Sequence, residues 1–320
     1  MVPNVIVLGS AKSGTTFLYN YFRQREDIFT PNKEIHYFTN NFHKGQEWYE
    51  GHFKTKTKKH LVCVDVAANY LYSHDFYGTF QDAPNVDVGK RIKEKIGRDV
   101  KLVCIFREPV SRAFSNYVNL LQGAIKNGLV MPHPTLLKFE QKLKDVFFSN
   151  RAKSIQMPLT DQQIENFQVR PVFEQAIITH PYLLCRSMYS IYLAQFLRHF
   201  ERKNFFFIDF EELKKNPTKI LRELDQFLEI DPQNNLDVSS LDKNSFRNRN
   251  FYKNPWLASR LLNISAKNDL IGKLGMFASN ALKTDAEPKL DEEVKSRLKV
   301  WFRPFNEELR LQTQLKLKSW

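Results

Sequence analysis

The chain has 320 residues, 42% apolar and 26% charged, and carries a formal net charge of +13. These values exclude a disordered or collagen-like chain and are ample for one large α/β domain or two small ones. The basic balance favours polyanionic partners (nucleic acid, anionic membrane, glycan or a multiply charged nucleotide) and fits a merely solubilising surface equally well.

The 27 phenylalanines suggest an aromatic-rich core or an aromatic-lined pocket. Cys63, Cys104 and Cys185 sit in apolar surroundings without metal or redox spacing, so buried reduced thiols in a reducing compartment are expected. Met1–Asn4 leads straight into Val5–Leu8, a run too short for a signal peptide or a membrane span. The expectation is a cytoplasmic protein without a membrane partner.

In chain order, Val5–Leu8, Leu61–Val66, Val100–Phe106 and Asn204–Phe210 read as buried strands, with Ile28–Thr30 a weaker fifth. Helical spacing marks Phe17, Leu18, Tyr21 and Phe22 after Thr15, and Tyr189, Tyr192, Leu193, Phe196 and Leu197 after Ser187. Such alternation predicts an α/β fold: a P-loop-like, doubly wound parallel sheet of about five strands flanked by helices. The whole chain, 1–320, reads as one domain. A polar stretch at about 123–180, helical over Leu136–Phe148, is either a lid over a pocket or a surface excursion. Leu290–Leu317 reads as a long helix interrupted at Arg303-Pro304. The basic run Lys54–His60 reads as a solvated loop.

The most informative segment is Val5–Thr16: strand, glycine-containing loop, helix. Successive backbone N–H groups there, with the helix N-terminus, suit a phosphate dianion. Gly9 and Gly14 let the backbone approach a ligand, and Thr15 and Thr16 add hydroxyls. Against the Gly-x4-Gly-Lys-Ser/Thr loop of triphosphatases, Gly9, Gly14 and Thr16 fit, but Thr15 holds the lysine position and Lys12 lies three residues earlier. That relocation suits a 5′-phosphate whose outer group is not phosphoryl. A loop that merely turns the chain is the plain alternative.

Arg107 follows the third strong strand, and Pro109 opens a helix on which Ser115 lies about two turns in. At a strand's carboxyl end the arginine offers a planar fork for a second phosphate. The simpler reading pairs it with Glu108 or another carboxylate.

Together these stretches closely resemble the family of sulfotransferases that use 3′-phosphoadenosine 5′-phosphosulfate (PAPS). The resemblance implies that Ser10, Lys12, Ser13, Gly14, Thr15 and Thr16 bind the 5′-phosphosulfate, and that Arg107 and Ser115 bind the 3′-phosphate. Lys33–Phe38, Trp48-Tyr49, Ser187-Met188-Tyr189 and Pro288–Leu309 are similar to the heparan-sulfate and carbohydrate branch, and Tyr189 joins the cofactor-binding candidates. On this likeness Glu34 is the general base, His36 orients it or is itself the base, and Lys12 neutralises the leaving oxygen, with no metal required.

The sequence also departs from that branch. Val66 occupies the position of a loop lysine, and Thr39 stands where an acidic residue is common. The late basic loop is reduced to Leu282–Asp285, leaving Lys283, Arg249 and Tyr252 as residues that close over the cofactor. These changes favour a small-molecule acceptor with a hydroxyl or amine, and no nucleic acid, over a glycan. A magnesium-dependent nucleotide kinase and a non-enzymatic polyanion-binding protein are the rivals from other classes.

Overall fold

The computed structural model describes residues 2–72, 86–126, 172–233, 238–241, 251–253, 255–265, 277–284, 288–318 and 320. From the amino terminus, β1 (Val5–Gly9) leads to α1 (Thr15–Gln24), β2 (Ile28–Phe29), α2 (Gln46–Gly51), β3 (Val62–Val66), α3 (Val88–Lys95), β4 (Lys101–Phe106) and α4 (Pro109–Lys126). Then come α5 (Phe173–Thr179), α6 (Tyr182–Cys185), α7 (Tyr189–Phe196), β5 (Phe205–Asp209), α8 (Phe210–Lys215), α9 (Pro217–Leu228) and α10 (Val238–Leu241). The last elements are β6 (Phe251–Tyr252), α11 (Pro255–Ser265), β7 (Lys283–Thr284) and α12 (Glu292–Thr313).

The chain divides into two compact units. Met1–Arg112, Cys185–Arg247 and Ser296–Trp320 form the first; Ala113–Leu184 and Asn248–Lys295 form the second. Most of the polar stretch expected at 123–180, including its helical part, lies outside the described residues.

The first unit holds a five-stranded parallel sheet in the order β2-β3-β1-β4-β5. The chain leaves β1 for the β2–β3 side and returns to β4 on the other, so the crevice lies outside the carboxyl ends of β1 and β4. Strand composition explains the layering. Ile6, Leu8, Cys104, Phe106 and Phe207 enter one core with Ile92 of α3 and Tyr192 and Phe196 of α7. Val5, Val7, Val64, Val103, Ile105 and Ile208 enter the other with Leu18 and Phe22 of α1 and Leu221 and Leu224 of α9. Each such side chain, once buried, contributes about 1.5–3 kcal/mol, so both faces hold helices firmly.

Most sequence-based expectations agree with these elements; the fifth strand shortens to the two-residue β2. Cys63 and Cys104 are buried free thiols, whereas Cys185 is only partly buried. Lys54–His60 is largely exposed, as a solvated loop should be. The expected break at Pro304 is absent: α12 runs through it. Proline removes the donor to the carbonyl of Val300, but Val300 is 59% exposed and water can replace that donor. Phe302 and Leu309, both fully buried, hold the helix down on either side.

In the second unit, Phe114 and Tyr117 of α4 both pack edge-on against Phe173 of α5. β6 and β7 form an antiparallel ladder that pairs Phe251 with Thr284 and Tyr252 with Lys283.

Gly9 has φ +137°, and a Cβ there would lie 2.6 Å from the Ala68 carbonyl oxygen. Gly9→Ala is therefore expected to cost about 2 kcal/mol or more, from overpacking and backbone strain, read as a lowered midpoint in denaturant melts. Asp65 of β3 is fully buried; its Oδ2 accepts hydrogen bonds from the hydroxyls of Tyr49 (2.8 Å) and Tyr70 (2.9 Å), while Oδ1 has no partner among the described residues. Burial outweighs these two donors and pushes the carboxyl pKa up from 3.8 to about 7. Between those values the folded chain keeps a proton that the unfolded chain loses, so this group's share of stability falls as pH rises through that window. Asp65→Asn removes that component: its melting temperature relative to the parent should become more positive between about pH 4 and pH 8. A pH-independent difference would assign no such titration to Asp65.

Candidate active site

The loop from Gly9 to Thr16 is tied to the end of β4. Ser10 N–H donates to the Ile105 carbonyl (2.8 Å), and Ser10 Oγ reaches the same oxygen at 3.0 Å. The hydroxyls of Ser10 and Ser13 are 2.6 Å apart and both residues are fully buried. Lys12 (φ 67°) and Gly14 (φ 102°) turn the chain left-handed, a geometry in which neighbouring N–H groups can converge on an anion. Gly14 is the N-cap of α1 and, as a glycine, brings no side chain to cap the first-turn N–H groups.

The two glycines also answer a demand from within the protein. A Cβ at Gly9 would strike Ala68, and one at Gly14 would sit 3.1 Å from the Phe210 ring and 3.2 Å from Ile105. Contacts within the protein and the positive φ of both residues, 137° and 102°, favour glycine at both places. Thr15 is buried, whereas Thr16 is exposed and its Oγ1 accepts a hydrogen bond from Lys33 Nζ (2.9 Å).

Arg107 reaches back into this loop: its Nη1 donates to the Lys12 carbonyl at 3.2 Å, across 95 residues of sequence. Its guanidinium lies 5.1 Å from the Phe210 ring centre, so one aromatic ring flanks both Gly14 and the cation. Nε is buried without a hydrogen-bond partner among the described residues, and burial lowers the Arg107 pKa from its ordinary value. The simpler pairing of Arg107 with Glu108 is not what forms. Glu108 turns into α4, accepting from Val110 N–H (3.1 Å) and Ser111 N–H (2.8 Å) as a helix cap. Tyr189, 1% exposed, donates its hydroxyl to the Arg107 carbonyl (2.9 Å). That ties Tyr189 to the backbone of the arginine.

The remaining cofactor candidates belong to the second unit. Ser115 is buried in the second turn of α4. Tyr252, half-buried, and Lys283, exposed, are the facing pair of the β6–β7 ladder. Arg249 lies outside the described residues.

Glu34 and His36 occupy an irregular segment after β2 and both have positive φ, 66° and 54°. Non-glycine residues held there cost on the order of 1–3 kcal/mol each and need the surroundings to hold them. The segment after β3 does so. Glu34 N–H donates to the Val66 carbonyl (2.8 Å), Ala68 N–H donates to Glu34 Oε2 (3.0 Å), and Tyr37 N–H donates to the Tyr70 hydroxyl (2.9 Å). Arg91 of α3 holds the far end through the Phe38 carbonyl (3.1 Å). Lys33 Nζ lies 3.2 Å from Glu34 Oε1, so one ammonium joins Thr16 of the loop to the carboxylate. His36 Nε2 is 3.6 Å from Glu34 Oε2, and its Nδ1 is 2.7 Å from Asn69 Oδ1.

The structure thus gathers Ser10, Ser13, Lys12, Arg107 and Tyr189 at one loop, with Thr16, Lys33, Glu34 and His36 beside its helical end. Sequence reasoning missed Phe210 and Asn69. Phe210 lies at the β5–α8 junction and Asn69 in the β3 loop, and no local pattern links either to its partner.

Residues 2–311 match the model of the sulfotransferase domain. Heparan sulfate glucosamine 3-O-sulfotransferase 3B1 of Mus musculus is 25% identical over 308 residues, covering 95% of this chain and 62% of that protein. Heparan sulfate glucosamine 3-O-sulfotransferase 5 of Homo sapiens is 24% identical over 311 residues, covering 96% and 70%. The chain thus spans about three-fifths of the length of the first of these relatives. Among solved structures, a sulfotransferase from Alicyclobacillus acidocaldarius shares the fold with a TM-score of 0.56 at 18% identity, covering 100% of this chain and 99% of that one. With the family match running over nearly its whole length, this chain belongs to the sulfotransferase family.

Proposed function

We propose that the chain transfers a sulfuryl group from PAPS to a hydroxyl or amine of a small-molecule acceptor and releases 3′-phosphoadenosine 5′-phosphate (PAP). One observation carries the donor half: the Arg107 guanidinium is drawn against the phosphate-type loop through the Lys12 carbonyl, while its buried Nε lacks a hydrogen-bond partner among the described residues. A buried, unsatisfied N–H on a cation is costly and is relieved by an anion. The loop N–H groups and Lys12 take the 5′ side of the nucleotide, and Arg107 takes the 3′-phosphate.

In the transfer, a lone pair of the acceptor oxygen or nitrogen forms the new bond to sulfur. The bond from sulfur to the bridging oxygen breaks, its electron pair stays with the departing phosphate, and Glu34 takes the acceptor proton. Lys12 and the loop dipoles stabilise the charge that develops on the bridging oxygen. Lys33, at 3.2 Å from Glu34, keeps the carboxylate oriented.

The two relatives are named for heparan sulfate glucosamine. A small acceptor is favoured here because Val66, at the position where the glycan branch has a lysine, is buried in the core, and Thr39 is buried where that branch often has an acid. Val66 presents no cation to an acidic polymer. A cytoplasmic setting is part of the same proposal, supported by the three free cysteines.

PAP should raise the melting temperature without magnesium, and ATP should not. Arg107→Ala should weaken PAP binding by on the order of 10- to 100-fold in calorimetric titration, the size of a lost charged hydrogen bond. Unchanged affinity would remove Arg107 from the nucleotide site. Lys12→Ala should lower kcat by roughly 100- to 1,000-fold, as loss of an electrostatic donor does, with smaller changes in KM. Incubation with PAPS and a panel of alcohols, amines and oligosaccharides, scored by the mass gain of one SO3 group, identifies the acceptor class. Transfer to oligosaccharides alone would overturn the small-molecule reading.

A further inference from the structure

His36 is held from two sides. Its Nδ1 lies 2.7 Å from Asn69 Oδ1, and its Nε2 lies 3.6 Å from Glu34 Oε2. The Asn69 amide is itself oriented, because its Nδ2 points to Thr39 Oγ1 and Asn40 Oδ1, each at 3.4 Å. An amide oxygen only accepts, so Nδ1 must carry a proton and donate it. A neutral His36 then has its lone pair on Nε2, facing the carboxylate.

We propose that Asn69 is a positioning residue that fixes His36 as the Nδ1–H tautomer, so that Nε2 receives the proton Glu34 takes from the acceptor. This rests on Glu34 serving as the base of sulfuryl transfer. The proton moves from the acceptor to a Glu34 oxygen and then to Nε2, leaving an imidazolium beside a restored carboxylate. In the opposite tautomer Nε2–H would point at Glu34 and could take no proton from it. Glu34 Oε2 is meanwhile held by Ala68 N–H (3.0 Å), so adjacent residues of the β3 loop hold both partners. Lys33 faces Oε1 and leaves the imidazole to Asn69.

The test uses the full chain labelled with 15N-histidine. Long-range 1H–15N spectra report the tautomer of neutral histidines, and His36 is assigned as the signal missing in His36→Gln. The parent should show His36 as Nδ1–H. Asn69→Leu should shift it toward Nε2–H and lower kcat roughly 10- to 100-fold, part of what general-base catalysis contributes, with KM for PAPS and PAP binding retained. Asn69→Asp keeps an acceptor oxygen and should restore the tautomer and most of kcat. A parent His36 found mainly as Nε2–H overturns the proposal, as does an Asn69→Leu protein with unchanged tautomer and kcat. Failure of the parent to transfer sulfuryl from PAPS would instead sink the functional reading, because the tautomer is read without substrate.

Discussion

The carbonyl of Ile105 accepts from Ser10 twice, through the backbone N–H and the hydroxyl. The rest of the site is arranged around that shared acceptor. It closes the turn after β1 onto the end of β4, at the place where the strand order reverses. Because β1 is the central strand, paired to β3 on one side and β4 on the other, the turn cannot shift without breaking register on both. Arg107 then leaves β4 two residues later within reach of Lys12. Tyr189 and Phe210 brace the arginine from α7 and the start of α8.

A second constraint acts on the opposite side of β1. Glu34 and His36 are held in a backbone region that favours glycine, and the hydrogen bonds that hold them come from the β3 loop and from Tyr70. Tyr70 in turn donates to the buried Asp65, which also receives Tyr49. A buried carboxylate is an uneasy foundation, since desolvation opposes its charge. Its two hydroxyl donors tie α2 and the β3 loop to one point beneath the reactive segment. Strain at Glu34 and His36 is thus offset by polar contacts that begin in the core.

Several residues behave differently from their local appearance. Gly9 and Gly14 look like ligand-approach glycines, and their missing side chains make room for Ala68, Phe210 and Ile105. Glu108 looks like a partner for Arg107, but it accepts from the two N–H groups that open α4. Pro304 looks like a helix end, yet an exposed Val300 and buried flanking side chains carry α12 through it. In each case a nearest-neighbour rule yields to the full set of surrounding contacts.

The sequence by itself determined the doubly wound parallel sheet, the phosphate-type loop after its central strand and the arginine at a neighbouring strand tip. Those features are written in short runs: buried strands are apolar throughout, helices recur at 3.6 residues, and the loop lies between one strand and the next helix. Tertiary structure alone decided which groups meet. Arg107 finds a carbonyl 95 residues away, His36 an amide 33 residues away, and Ser10 an acceptor on another strand. Such pairings depend on strand register and loop curvature set by the whole core, and a short stretch of sequence encodes neither.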